Sequence, residues 1–240
     1  MPNASSGLQI IKRIIVKPLF FLSLFAVFLI CDCSKTSQKS QLSEGEIEYD
    51  ITYVNNSGRN FPIQLLPKTM QLTFNQNFAA YTIKDRVGLF AIKIISDLKK
   101  HNHITLIKVF DKKYVYQSEG KETPVFFKPD ISYKIISKSD TTRINGLLCY
   151  NIIVEEPENK TKIPVTYIPI NFKNPNYNTP YSDVKGLLMN FNLQMKSLDM
   201  KLTAKKVDEK IIKDEEFEIP GGYKAIPRIR MEEIITTLLP

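Results

Sequence analysis

The sequence has few of the residue types that most often build metal and redox sites. It contains two histidines, three cysteines and no tryptophan among its 240 residues. The histidines, His101 and His103, lie two residues apart in a segment rich in lysine and asparagine, and no third ligand follows at a recognisable spacing. We therefore interpret both as solvated loop histidines, and we expect neither a metal site nor another cofactor.

The motifs of common enzyme classes are absent as well. The sequence has no Gly-x-Ser-x-Gly elbow, no phosphate-binding glycine loop and no Cys-x-x-Cys pair. Paired acids such as Glu155 and Glu156 are adjacent, and adjacent residues of a strand point to opposite faces, so they do not form a general acid and base. We expect no catalytic residues and predict that the protein is not an enzyme.

The first 33 residues have the order of a bacterial export signal. Three basic residues, Lys12, Arg13 and Lys17, precede the 13-residue apolar run Pro18 to Ile30. As a helix this run would be about 20 Å long, which is shorter than the hydrocarbon core of a bilayer, about 30 Å. We predict a signal peptide at 1–33, a flexible polar tether at 34–44 and a single β-rich domain at 45–240.

The cysteines at the end of the signal bear on how the protein is held after export. A lipoprotein signal is cut just before a cysteine that then carries the lipid. Cys31 is preceded by uncharged residues, whereas Cys33 follows Asp32, so Cys31 is our predicted lipid attachment site and Cys33 the alternative. Two alternatives remain open. The signal is cleaved after Cys33 and a soluble product is released, or it is not cleaved and serves as an anchor. We expect a cell-envelope protein, anchored in the outer membrane and facing the periplasm.

The third cysteine and the charge of the chain suggest ordinary structural roles. Cys149 lies in a strand-like apolar run, where a buried small side chain is the expected role. The net charge is +8, but the lysines are scattered along strands and form no arginine-rich tract. We therefore expect no nucleic-acid partner, and attraction to anionic lipid headgroups is the more plausible use of the charge.

Alternation of apolar and polar residues dominates the rest of the chain. Glu46 to Tyr53 alternates isoleucine and tyrosine with acids and threonine, which is typical of a half-buried strand. The runs of this kind are 46–53, 70–74, 78–83, 87–95, 104–110, 114–117, 131–137, 147–154, 163–167, 187–193 and 198–207. They predict a mainly β fold, a large curved antiparallel sheet or open half-barrel, with a few short helices.

Two segments depart from this pattern. Arg230 to Leu239 is the one convincing helix candidate near the end of the chain. Pro169 to Asp183 contains three prolines and a cluster of asparagines, and we interpret it as a structured excursion. Excursions of this length often serve as lids or partner-binding loops, or they cover the edge of a sheet.

Several segments resemble the GLPGLI-type envelope proteins of Bacteroidota, a family of unknown function. Arg143 to Tyr150 is similar to the family's Ile-x-Gly-Tyr-x-Cys segment, and Glu216 to Tyr223 is similar to its closing Phe-x-Ile-Pro-x-Gly-Tyr. Val165 to Tyr167, Val184 to Leu188 and the opening Gly45 to Tyr49 also fit. The resemblance implies a LolA/LolB-like half-barrel with an apolar concave face and a lid, which can shelter an acyl chain or apolar peptide.

These observations lead to two main hypotheses about function, and a hydrolase whose site has no recognisable motif is a third, less favoured alternative. In the first, the concave face binds a lipid or another apolar ligand, and the residues expected to contact it are Ile92, Ile94, Met189 and Phe191. Strand alternation places Met189 and Phe191 on one face and Leu188 on the other. In the second, the concavity is filled, and the protein is a structural or interaction lipoprotein with an envelope protein partner.

Overall fold

A computed structural model of the protein describes residues 42–54, 66–120, 122–127, 131–196 and 198–238. The chain divides into two units, Met1–Ser40 and Gln41–Pro240, and the described residues all lie in the second. The predicted signal peptide, Cys31, Cys33 and most of the predicted tether lie outside the described residues. Leu42 is the first described residue, and its side chain is buried in the core.

Twelve strands form the described part of the fold, and residue alternation predicted eleven of them. The strands are β1 (Gly45–Tyr53), β2 (Thr69–Phe74), β3 (Phe78–Lys84), β4 (Phe90–Asp97), β5 (Asn102–Val109), β6 (Lys112–Gln117), β7 (Lys134–Ile144), β8 (Leu147–Glu155), β9 (Lys162–Pro169), β10 (Gly186–Met195), β11 (Leu198–Asp208) and β12 (Lys224–Ala225). The two-residue strand β12 was not predicted.

The strands form one sheet in the order β12-β6-β5-β4-β3-β2-β1-β11-β10-β9-β8-β7. Strand β1 is central, because it pairs antiparallel with both β2 and β11 and so joins two runs of successive hairpins. Only β12 pairs parallel, with β6. The sheet does not close, since β7 and β12 lie at its two edges. The predicted mainly β fold with a large open antiparallel sheet and few short helices is confirmed.

Both faces of the β3–β6 part of the sheet are covered. Ile107 belongs to the larger core cluster, and we call the face that carries this cluster the inner face. Its neighbour Leu106 belongs to a smaller cluster on the opposite, outer face. The chain after β11 covers that outer face, with Phe217 of a 3-10 helix (Asp214–Phe217) stacked on Phe78 at a ring-centroid distance of 5.1 Å.

The segment between β9 and β10, residues 170–185, covers part of the inner face, and we call it the cap segment. Asn176 is fully buried and donates from Nδ2 to the carbonyl oxygens of Val184 and Gly186, both at 2.8 Å. These bonds fix the return of the chain to β10. The segment is therefore a structured excursion, as its prolines and asparagines indicated.

A single α-helix, α1 (Arg228–Leu238), follows β12 in the described part of the chain. Its buried residues, Met231 and Ile235, are four apart and so lie on one side of the helix, against the larger core cluster. The helix confirms the predicted terminal helix and begins two residues earlier. Among the described residues, no helix is long and apolar enough to cross a membrane.

A β-bulge in β10 overturns the expected alternation of that strand. Leu188 pairs with Tyr167 and Asn190 pairs with Thr166, so Met189 is an extra residue without a partner across the ladder. The extra residue shifts the alternation of side chains between the two faces of the sheet. Leu188 therefore lies on the same face as Phe191. The prediction that these two side chains lie on opposite faces was wrong.

Gly186 begins β10 at a place where a side chain has no room. A Cβ atom there would lie 2.4 Å from the carbonyl oxygen of Ile168 and 2.4 Å from Cδ2 of Tyr167. The backbone contact cannot be relieved by a side-chain rotation. This close approach of neighbouring backbone explains why glycine occupies position 186.

We expect Gly186→Ala to lower the free energy of unfolding by about 1 to 3 kcal/mol, the usual cost of forced overpacking. Gly221→Ala is the matched control, because no atom lies within 4 Å of the Cβ position there. Urea denaturation of both variants measures the difference. Equal stability of the two variants would contradict the assigned role of Gly186.

Candidate functional site

An apolar cavity lies on the inner face between β2–β4, β10 and the cap segment. Its volume, counted as room for the centre of a water-sized sphere, is about 20 Å³. The lining residues are Met70, Tyr81, Ile83, Ile92, Ile94, Phe127, Thr179, Tyr181, Leu188, Phe191, Leu193 and Met195. No lining residue is charged, so the cavity suits an apolar group. Space of this size holds about one water molecule.

The structure brings three of the four predicted ligand-binding residues together. Ile92, Ile94 and Phe191 line the cavity, and each is at most 3% exposed. Met189 is fully buried but is not a lining residue, and Leu188 lines the cavity instead because of the bulge in β10. Whether these residues bind a ligand stays a prediction.

Tyr181 of the cap segment closes the cavity from the side opposite the sheet. Its ring is fully buried and makes edge contacts with the rings of Tyr133, at 5.1 Å, and Phe191, at 5.6 Å. Its hydroxyl donates to the carbonyl oxygen of Asn192. Sequence reasoning missed Tyr181, because the cap segment has no apolar periodicity that would place one of its side chains in the core.

A polar cleft lies on the other side of the cap segment, and we call it the outer cleft. It has a volume of about 410 Å³ by the same measure. The lining residues are His101, Glu122, Thr123, Ile131, Ser132, Tyr177, Asn178, Thr179, Pro180 and Ser182. The ring of His101 stacks on Tyr177 at 4.9 Å. Thr179 lines both the outer cleft and the cavity, so the cap separates the two spaces by a single residue there.

The two histidines have different environments. His101 lies in the turn between β4 and β5 with φ of 57°, in a loop as predicted. His103 is 1% exposed on β5, so its interpretation as a solvated loop residue was wrong. The carboxylate of Asp97 accepts hydrogen bonds from the backbone of Lys99 and Lys100, which makes the turn tight and lets β5 begin at Asn102. His103 then shares the inner face with Ile107.

The side chain of His103 is buried without a hydrogen bond to any described residue. Neither ring nitrogen has a hydrogen-bond partner, and the hydroxyl of Thr105, two residues further along β5, has none either. Burial, and secondarily the positive charge of Arg228, lower the pKa of His103 to about 4, while Glu122 opposes this shift. The imidazole is therefore neutral at neutral pH.

An ion-pair network joins α1 to the loop after β6 beside His103. Arg228 donates to the carboxylate of Glu122 at 3.3 Å and to that of Glu232 at 2.9 Å. The hydroxyl of Tyr116 also donates to Glu122, and this hydrogen bond lowers the pKa of Glu122. These contacts hold the helix beside β6.

Cys149 is a free, fully buried thiol on β8. Burial raises its pKa, which disfavours the reactive thiolate. The prediction of a small buried side chain is confirmed. Within the described ranges, no three histidine, cysteine, aspartate or glutamate side chains are close enough to hold a metal ion.

Comparison with known proteins assigns no family to the chain. No protein-family model matches it, and no curated protein matches it. A solved structure that is similar is the crystal structure of LprF from Mycobacterium bovis, with 12% sequence identity and a TM-score of 0.26 over 75% of this chain and 90% of that chain. A likeness this weak supports no conclusion. The resemblance to GLPGLI-type proteins stays an expectation.

We expect the stability of the protein to fall as the pH drops from about 6.5 to about 4. The unfolded chain binds a proton at His103 near pH 6.5, whereas the folded chain resists protonation until about pH 4. Above pH 6.5 His103 is neutral in both the folded and the unfolded chain, and this contribution to stability is fully present. Between pH 6.5 and pH 4 the unfolded chain is protonated first, which lowers the free energy of unfolding by about 3 kcal/mol.

Urea denaturation between pH 7 and pH 4 tests this dependence. His103→Leu should flatten the curve over this range, because the titrating group is removed. Thr105→Val is the matched control, since it removes the other unpartnered polar atom of β5 without removing a titrating group and should keep the wild-type slope. An unchanged slope in His103→Leu would contradict the assignment to His103.

Proposed function

We propose that this protein is a non-catalytic, exported lipoprotein of the cell envelope that binds an apolar ligand on the inner face of its sheet. The ligand is an acyl chain or a hydrophobic peptide, and Ile92, Ile94 and Phe191 contact it. The proposal includes attachment to the outer membrane through lipid on Cys31, or alternatively Cys33, with the domain facing the periplasm.

The position of Thr179 is the observation that carries this proposal. This residue separates an apolar cavity from an open cleft of about 410 Å³. Here a small displacement of the cap segment at Thr179 would connect the apolar interior with the outside.

The cavity walls suit a ligand of variable shape. Met70 and Met195 line it on β2 and β10, and methionine side chains adapt to irregular apolar partners more readily than branched ones. The cavity also lies against Leu188, Leu193 and other aliphatic side chains. Such a lining recognises apolar surface without selecting a particular polar group.

The cap segment has the bonding pattern of a unit that moves as a whole. Its internal hydrogen bonds include one from Asn176 to Val184 at 2.8 Å and one from Asn174 to Ser182 at 2.7 Å, and a second bond from Asn176 joins it to Gly186 at the start of β10. Its side-chain hydrogen bonds to β4 and β5 include Tyr177 to Asn102 at 2.7 Å and Asn178 to Ser96 at 3.0 Å. Opening the cap would have to break these bonds and the hydrogen bond from Tyr181 to Asn192 of β10, and it would leave the internal bonds intact.

The volume of the cavity requires such a movement. Room of about 20 Å³ accepts one water-sized group and no acyl chain. Ligand binding therefore requires Tyr181 and Thr179 to move away from the sheet.

The same volume favours a second candidate function. If the cap segment never opens, the concavity is a filled core, and the protein is a structural or interaction lipoprotein that acts through its surface on an envelope protein partner. The two candidates differ in one physical property, which is whether the cap segment must leave the inner face for the protein to work.

We expect a disulfide that joins the cap segment to the chain just before β7 to prevent ligand binding. The hydroxyl oxygens of Ser132 and Ser182 lie 2.7 Å apart, so Ser132→Cys with Ser182→Cys places two thiols within bonding reach. The oxidised double variant should bind a fluorescent fatty acid at least about tenfold more weakly than the reduced form, because a cap that opens rarely reduces the apparent affinity in proportion.

Ser182→Cys alone is the matched control, since it tests the effect of oxidation on the other cysteines of the chain. Its affinity should be the same in both redox states. Equal binding by the oxidised and reduced double variant would show that the cap does not gate the cavity. A wild-type protein without saturable binding would favour the second candidate.

A further inference from the structure

Three large apolar side chains are exposed together at one end of the sheet. Val87 and Leu89 lie in the turn between β3 and β4 and are 74% and 48% exposed, and Phe110 lies in the turn between β5 and β6 and is 65% exposed. We call these three residues the apolar tip. Single exposed apolar residues are ordinary, but a contiguous group of large ones usually marks a contact surface.

Hydrogen bonds hold the two turns of the tip side by side. The backbone N–H of Phe110 donates to the carbonyl oxygen of Leu89 at 2.6 Å. The ammonium group of Lys108 donates to the carbonyl oxygen of Gly88 at 2.6 Å. The three apolar side chains therefore belong to one fixed surface feature, although they come from turns that are 21 residues apart in sequence.

Phe110 has a backbone conformation that its residue type disfavours. Its φ is 55°, in the left-handed region where glycine or asparagine is the usual residue of a two-residue hairpin turn. The other non-glycine residues with positive φ in the described ranges are a histidine, an asparagine and two lysines. Phe110 stays 65% exposed in this turn, so burial of its ring offsets little of the strain, which supports a contact role for the exposed ring.

Basic residues outnumber acidic residues in the turns of the apolar tip and in the adjoining strand ends. The two turns and their adjoining strand ends carry five bases and two acids, namely Lys84, Arg86, Lys108, Lys112 and Lys113 against Asp85 and Asp111. One of the acids, Asp85, accepts a hydrogen bond from the backbone of Phe90 at 3.0 Å. The surface around the tip therefore has an excess of positive charge.

We propose that the apolar tip inserts into the interface of an anionic lipid bilayer. The apolar side chains would enter the boundary between headgroups and acyl chains, and the basic side chains would remain among the phosphates. Lysine and arginine side chains near an anionic bilayer are attracted to its surface charge. The combination of exposed apolar side chains with a surrounding excess of positive charge fits an anionic bilayer surface.

The tip is a membrane contact separate from the start of the domain. Gly45 at the beginning of β1 pairs with Phe74 at the end of β2. The turns after β3 and β5 lie at the other end of these antiparallel strands, where β2 begins. The proposal does not depend on ligand binding under the cap segment, and its test is independent of that function.

The absence of tryptophan from the sequence permits a direct test. Phe110→Trp places a single fluorescent reporter in the tip, and Ile211→Trp, at a residue 83% exposed on the chain that follows β11, is the matched control. Both variants are made in the full chain, so that any contribution of the N-terminal segment to vesicle binding is the same in both.

Vesicles of equal parts phosphatidylglycerol and phosphatidylcholine provide the anionic bilayer. The emission of Phe110→Trp should shift to shorter wavelength with these vesicles, and acrylamide quenching should fall by about threefold. The emission of Ile211→Trp should not change. Adding Arg86→Glu and Lys112→Glu to Phe110→Trp, or using pure phosphatidylcholine vesicles, should remove most of the response.

Two results would overturn the proposal. Quenching of Phe110→Trp that stays equal to that of Ile211→Trp in anionic vesicles would show that the tip remains in water, as expected if it contacts a protein. An equal response in anionic and neutral vesicles would show that the basic residues do not contribute to the contact. Circular dichroism of each variant confirms that the fold is retained.

Discussion

An apolar sheet face with two open edges must be covered by other parts of the same chain. The sheet of this protein has twelve strands in its described part and ends at β7 and β12, so it cannot bury its inner face by closing into a barrel. The cap segment and α1 cover that face instead. Each large apolar side chain that they remove from water contributes about 1.5 to 3 kcal/mol. In the proposed function, stability and ligand access therefore depend on the same covering elements, because opening the cap would expose the face that it covers.

Local sequence pattern predicted the sheet because antiparallel strands with one solvent-exposed face repeat every two residues. It failed where tertiary contacts set the outcome. The predicted strand 87–95 begins only at Phe90, because Val87 and Leu89 are exposed in a turn and serve no core. His103 was misplaced because its lysine- and asparagine-rich neighbourhood is polar, whereas the position it takes on β5 is buried by elements distant in sequence.

The candidate site was predictable to the extent that it lies on strands. Ile92, Ile94 and Phe191 follow from alternation, because consecutive inward positions of neighbouring strands meet on one face. Met189 does not, because a bulge changes the phase of β10 and no residue type marks the bulge. Tyr181 and Thr179 come from an irregular segment, and only the folded structure shows that they close the cavity.

The central claim is that the inner face binds an apolar ligand under a movable cap, and native mass spectrometry of the full chain extracted from its own membranes tests it most directly. We predict a one-to-one complex with a molecule of lipid size that dissociates on denaturation. A lipid attached to Cys31 or Cys33 is covalent and would remain after denaturation, so the two are distinguishable. A native mass equal to the denatured mass, in preparations that retain the fold, would contradict the claim and support a permanently filled core.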